Sequence, residues 1–157
     1  MRLFGIFKAQ NRRQRAGAIL YPDKIIIQTI HTIKNSYGVI SSDVSILNAN
    51  EDSESLGRTL RKHLAQSRDD LKTTETGQYK DFLKATGLKT RKEHYKNARY
   101  LVIDNRNGKI SLTPTINGGT TGKDRGFAET TEIITMDTQV TDKELGVQLQ
   151  YGWTKCV

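Results

Sequence analysis

The sequence has one cysteine in 157 residues, Cys156, so no internal disulfide forms and a thiolate-based zinc site lacks its ligands. Two prolines, Pro22 and Pro114, exclude collagen-like and Pro-rich low-complexity readings. No apolar run approaches the ~18 residues that a membrane span needs. The opening residues, MRLFGIFKAQNRRQR, turn basic after a few apolar positions and lack the apolar core and cleavage site of a signal peptide. Hydrophobic residues make up only 35% of the chain, which predicts a modest core and polar loops. The expectation is a cytoplasmic protein with a single domain spanning residues 1–157.

Charge is present, but unevenly. The formal net charge is +8, which favours an anionic partner such as nucleic acid. Residues 1–50 carry 7 Lys and Arg against 2 acids, whereas residues 128–157 carry 2 against 5. The chain therefore ends in an acidic segment on a basic body, able to meet a basic partner. The densest basic run, Arg12, Arg13 and Arg15, has no interleaved aromatics and reads as a solvated loop or edge cluster rather than a phosphate-binding groove. The cluster Lys89, Arg91, Lys92 and Lys96, beside His94 and Tyr95, reads as a solvated helix face.

Hydrophobic patterning predicts an α+β fold, a twisted, mainly antiparallel sheet packed by about four helices. Strands are expected over 2–8, 18–21, 24–33, 100–103 and 109–115, with shorter runs at 37–40 and 44–47 and a strand-like stretch from Phe127 through Ile133 and Ile134. The 100–103 and 109–115 strands are joined by a turn containing Asn107-Gly108, a hairpin signature. Helices are expected over 53–66, 78–86, 90–98 and 141–156. Leu56, Leu60 and Leu64 form the apolar stripe of the first, with Asp52 or Ser53 as cap. Thr141-Asp142-Lys143-Glu144 is a capping box for the last, whose stripe is Leu145, Leu149 and Trp153, continued by Cys156. Both Leu helices contain L-G-x-x-L, at 56–60 and 145–149. A helical glycine costs about 1 kcal/mol relative to alanine, so its double use implies close backbone packing against a sheet.

Catalytic patterns are thin. Asn117 to Asp124 (NGGTTGKD) superficially resembles a P-loop, yet Asn117 stands where the first glycine belongs and Asp124 where the magnesium-binding hydroxyl belongs. A flexible glycine loop is the better reading. His31 falls in an apolar strand as a core histidine, His63 adjoins the Leu stripe, and His94 sits on a charged face. His94 with Lys92 or Lys96 gives a conceivable ribonuclease pair, without a spacing that supports it. Cys156 has no positioned base. No catalytic residue, metal ligand or cofactor site is assigned, and the chain is expected not to be an enzyme.

The second half carries a family likeness. Its residues are Asp81–Gly87 (DFLKATG), Lys96-Asn97-Ala98, Lys109–Thr115 (KISLTPT), Gly118-Gly119, Gly126-Phe127 and Glu144-Leu145-Gly146. In this order they resemble the CdiI-type immunity proteins of contact-dependent growth inhibition. The resemblance covers roughly residues 78–157, while residues 1–77 match in general layout. It implies a small cytoplasmic bacterial protein that binds the C-terminal toxin domain of an inhibition effector in a 1:1 complex, with no membrane or nucleic-acid partner. The toxin expected from such systems is a nuclease, blocked at its active site or substrate path. Nuclease sites are basic, so the acidic end is expected to meet the toxin through Glu129, Glu132, Asp137, Asp142 or Glu144, with Tyr95 or Tyr151 as aromatic anchor; the net charge of +8 leaves open an acidic toxin or a contact away from its active site. The rival reading is a basic RNA- or DNA-binding module, and a third is a small ribonuclease.

Overall fold

The computed structural model describes residues 12–72 and 78–157; the strand expected over 2–8 lies outside them. The isoleucine-rich run forms β2 (Lys24–Thr32), paired on one side with β1 (Gln14–Leu20) and on the other with β3 (Gly38–Asn48). The hairpin at Asn107-Gly108, both at positive φ, joins β4 (Arg99–Arg106) to β5 (Lys109–Asn117). Two short strands, β6 (Phe127–Glu129) and β7 (Ile134–Asp137), pair with opposite ends of β5. All pairings among these seven strands are antiparallel, in the order β3-β2-β1-β4-β5, with β6 and β7 beyond β5. With α1 (Ser53–Gln66), α2 (Gln78–Thr86), α3 (Arg91–Tyr95) and α4 (Asp142–Thr154), this is a single α+β domain with an open sheet.

Strand alternation divides the sheet into two unlike faces. Ala16, Ala18, Ile25, Ile27, Leu101, Ile103, Ile110 and Leu112 project to the first face, where Leu56, Leu60 and Leu64 of α1 and Leu145, Leu149 and Trp153 of α4 cover them completely. The Trp153 indole donates to the Ala18 carbonyl on the central strand at 3.1 Å, fixing α4 across the sheet. The second face is covered mainly at one end. There Phe82 of α2, Leu88 and Ala98 pack on Ile19, Tyr21 and Ile26, with α2 lying along β3.

Helix termini are set as the sequence predicts. Asp52 accepts from the Ser55 amide at 2.8 Å, and Thr141 and Glu144 complete the capping box of α4. The paired glycines serve a different contact from the expected helix-on-sheet packing. A Cβ on Gly57 would collide with the Asp142 carbonyl, and one on Gly146 with the Ser53 carbonyl. The two helices therefore cross backbone to backbone, each presenting its glycine to the first turn of the other. Arg61 fastens the crossing by pairing with Asp142 at 2.7 Å and donating to the Thr138 and Val140 carbonyls.

Four other expectations are corrected. The helix over 90–98 is only Arg91–Tyr95, because Lys96 caps it and Asn97 turns out at φ 54°. The runs at 37–40 and 44–47 are one strand with a register shift opposite Gln28 and Ile30. The stretch from Phe127 to Ile134 is two strands, separated where Thr130 bonds to the Pro114 carbonyl. The last helix ends at Thr154 rather than 156.

Candidate functional site

The second face is the less covered of the two among the described residues. Arg15, Gly17 and Ile19 of β1 project to it, flanked by Gln28 and Ile30 of β2 and by Tyr100, Val102 and Asp104 of β4. Beyond them the same face of β5 carries Ser111 and Thr113, which remain half-exposed while Ile110 and Leu112 on the first face are fully buried. No described helix lies over this β4–β5 half.

At the junction between the covered and bare halves is a cavity of about 330 Å³, lined by Arg15, Gln28, Ile30, Gly38, Ile40, His94, Tyr95, Tyr100, Val102 and Phe127. Glycines shape it. A Cβ on Gly17 would lie 2.6 Å from the Tyr100 ring and 2.7 Å from its hydroxyl, and one on Gly38 would strike the Arg15 guanidinium. Tyr100 thus lies flat over β1 beside the Gln28 amide, and burial pushes its hydroxyl up to about 12. Phe127 meets Tyr100, Tyr95 and His94 at ring-centroid distances of 4.9, 5.4 and 5.7 Å. Within this setting Gln28, only 3% exposed, bonds to the Tyr100 hydroxyl, while Arg15 Nε and Gln28 Oε1 are closed to solvent and make no hydrogen bond of their own among the described residues. Arg15 Nε stands 3.7 Å from Asp104, whose carboxylate is already held by Arg13 at 2.6 and 3.2 Å.

The seven anticipated binding residues do not form one patch. Tyr95 lines the cavity, and Glu129 lies on the same face by its pairing with Thr115. Asp137, opposite Lys109 at the far edge, accepts from the Gln139 amide. Glu144 and Tyr151 lie on the outward face of α4 with Val147 between them, and Lys155 stacks over Tyr151 while reaching Glu132 at 4.0 Å. Asp142 is engaged by Arg61 at the helix crossing. Sequence reasoning missed Arg15, Gln28, Tyr100 and Phe127. One signal was available: Gln28 interrupts an isoleucine run at a position that alternation buries.

The basic N-terminal run is not a free arm. Arg12 donates to the Ser67 carbonyl at 2.6 Å, Arg13 grips Asp104, and Arg15 lies across the sheet with its side chain 15% exposed. The histidines also differ from expectation. His31 is half-exposed and accepts from the Arg68 amide at 3.0 Å, so it is not a core residue. His94 is buried among Tyr79, Phe82, Tyr95 and Phe127 instead of sitting on a charged face, and burial lowers its pKa to about 4. His63 is fully buried between α1 and the sheet, 2.8 Å from both the Thr29 and Ser45 hydroxyls. Thr29 donates to Asp43 at 2.6 Å, so it accepts from His63 Nδ1–H, and Nε2 accepts from Ser45. Burial keeps this ring neutral, and the chain of bonds ties β2, β3 and α1 together. Among the described residues no group of three or more His, Cys, Asp or Glu is placed to hold a metal ion, and no helix is long and apolar enough to cross a membrane.

Comparison with known proteins places this architecture. The fold is similar to that of a protein of unknown function from Neisseria meningitidis, with a TM-score of 0.81 and 22% identity over 94% of this chain and 98% of that one. It is also similar to a chain of the CdiA-CT/CdiI toxin and immunity complex from Yersinia pseudotuberculosis, with a TM-score of 0.75 and 13% identity over 93% and 98%. No curated protein sequence matches significantly. The family model for the CDI immunity protein CdiI matches residues 14–156, all but the ends of the chain, and the protein belongs to that family.

Proposed function

We propose that this protein binds the toxin C-terminal domain of a contact-dependent inhibition effector in a 1:1 complex and neutralises it in the cytoplasm by occlusion, without catalysis of its own. The toxin is a nuclease in this reading, covered at its active site or substrate path. The contact is the bare half of the second face, from the cavity at Tyr95 to Thr113 and Glu129. One observation carries that placement: no described helix covers the β4–β5 half of this face, where Ser111 and Thr113 stay half-exposed beside a cavity walled by Tyr95, Tyr100 and Phe127. An uncovered polar sheet face beside a ring-lined cavity fits a surface that a partner completes. Family membership and the likeness to a chain of a toxin and immunity complex support the class of partner.

Placement is tested by co-purification with the toxin domain and measurement of Kd. Thr113→Arg, on the bare half, is expected to weaken binding at least tenfold with an unchanged urea midpoint. Tyr151→Arg, on the outward face of α4, is expected to leave Kd within about twofold. The reverse ranking would move the interface to α4, where Glu144, Val147 and Tyr151 lie. Cells expressing Thr113→Arg should also lose protection against the effector.

A further inference from the structure

We propose that single-stranded nucleic acid binds in the groove at the end of the sheet where β2 and β4 begin, its phosphates held by Lys24, Lys89, Lys96 and Arg99. The proposal does not depend on the toxin contact. Two hollows meet at this end. The larger, about 860 Å³, lies between the turn after β1, the start of β4 and the loop after β5. The smaller, about 420 Å³, lies between the same turn and the Gly87–Lys89 segment ahead of α3. Tyr21, Pro22, Lys96 and Asn97 line both, so the two form one channel. Lys96 stands on the shared wall, Arg99 in the larger hollow, and Lys24 and Lys89 in the smaller.

The charge follows the same line. Residues 78–99 carry seven Lys and Arg against two acids, so most of the net charge of +8 gathers around this channel. No acidic side chain lines the larger hollow. Asp23 and Glu93 line the smaller one, and Glu93 is engaged by the Lys89 amide at 2.6 Å. None of the seven ion pairs among the described residues involves Lys24, Lys89, Lys96 or Arg99. Neighbouring cations without counter-charges repel one another, and a polyanion relieves all four together.

The walls select among polyanions. Pro22 is exposed and Tyr95 half-buried, which gives bases flat apolar surfaces to stack on without regard to sequence. The Asn117 carboxamide is spent on the Tyr95 and Ala98 carbonyls and the Gly119 amide. That of Asn97, exposed at φ 54°, makes no hydrogen bond among the described residues and is left for a base edge or a sugar. A lone phosphate would engage one or two of the cations and leave most of the channel empty. A lipid headgroup layer is too flat to enter hollows set between loops. A duplex keeps its bases in its own stack, and an acidic peptide brings charge but no bases to Pro22 and Tyr95.

The probe is a fluorescein-labelled oligouridylate of about twelve nucleotides, within the span of known single-strand sites, titrated with the full chain and followed by anisotropy over a series of salt concentrations. Saturable binding at low salt is expected. Four phosphate contacts give a slope of log K against log salt of about −3. Lys96→Glu with Arg99→Glu should weaken binding at least tenfold and bring the slope to about −1.5, with an unchanged urea midpoint because both side chains are exposed. Lys34→Glu with Lys109→Glu makes the same change in net charge at the opposite end of the sheet and should leave Kd within about twofold. An equal loss in that control pair would reduce the effect to total charge and overturn the groove. Equal competition by polyglutamate or by a duplex of matched charge would overturn the single-stranded occupant. The absence of binding at low salt would overturn the whole proposal.

Discussion

His94 accepts no proton at neutral pH because Tyr79, Phe82, Tyr95 and Phe127 enclose its ring, and the Tyr79 hydroxyl bonds Nδ1 at 2.8 Å. Its folded-state pKa of about 4 lies below the ordinary 6.5, so the unfolded chain binds the extra proton first. Stability is then full above pH ~6.5 and is lost as pH falls toward 4, by up to about 3 kcal/mol from this residue. His63 and His31, also lowered by burial, act in the same direction. Urea midpoints should fall steadily between pH 7 and 4.5, and His94→Phe should flatten that dependence. A midpoint indifferent to pH would contradict the enclosed neutral ring. Arg13→Glu belongs to the same scale. It places a second acid beside Asp104, so thermal unfolding should show a loss of about 1–3 kcal/mol before any effect on a partner is measured. The burial of His63 was legible, since it shares the α1 face with Leu56, Leu60 and Leu64. That of His94 was not: Arg91, Lys92 and Glu93 precede it, and the rings that enclose it come from 79, 82 and 127.

The crossing of α1 and α4 sets the conduct of its glycines. Glycine to alanine at an exposed helical position stabilises by about 1 kcal/mol. At Gly57 and Gly146 the added methyl meets a carbonyl of the partner helix, so each substitution should instead destabilise by about 1–3 kcal/mol. Chemical denaturation of the two single variants decides the sign, and a gain in either would remove the backbone contact from the account. Local pattern was enough to find these helices, because caps and apolar stripes are written within a few turns: Asp52, Thr141, Glu144 and the leucines are all near neighbours in sequence. The partner of each glycine was not readable, because Gly57 and Asp142 are brought together only by the fold. The same limit applies to β6 and β7. Phe127 and Ile134 both have strand character, but the break between them depends on Thr130 bonding to Pro114 of β5. The cavity residues come from β1, β2, β3, β4, β6 and α3, and of these the sequence singled out only Tyr95 as a binding residue.

At the scale of the molecule, the central strand β1 is flanked by β2, which follows at once, and by β4, which begins at Arg99. The first face is closed only when α4 arrives from the far end of the chain. Long-range pairing of this kind is slow, so refolding in the millisecond-to-second range is expected by stopped flow. A chain ended at residue 140 loses Leu145, Leu149 and Trp153 and exposes the apolar surface of α1 and of β4–β5. It should show no cooperative urea transition. Trp153 is the sole tryptophan, 3% exposed, and stands against Ala18 on the face opposite the proposed toxin contact. Its fluorescence is therefore a private gauge of whether the lid on the first face is seated. The emission should redden when the protein melts and hold its colour when a tryptophan-free ligand occupies the other side, so the two events can be followed in one cuvette.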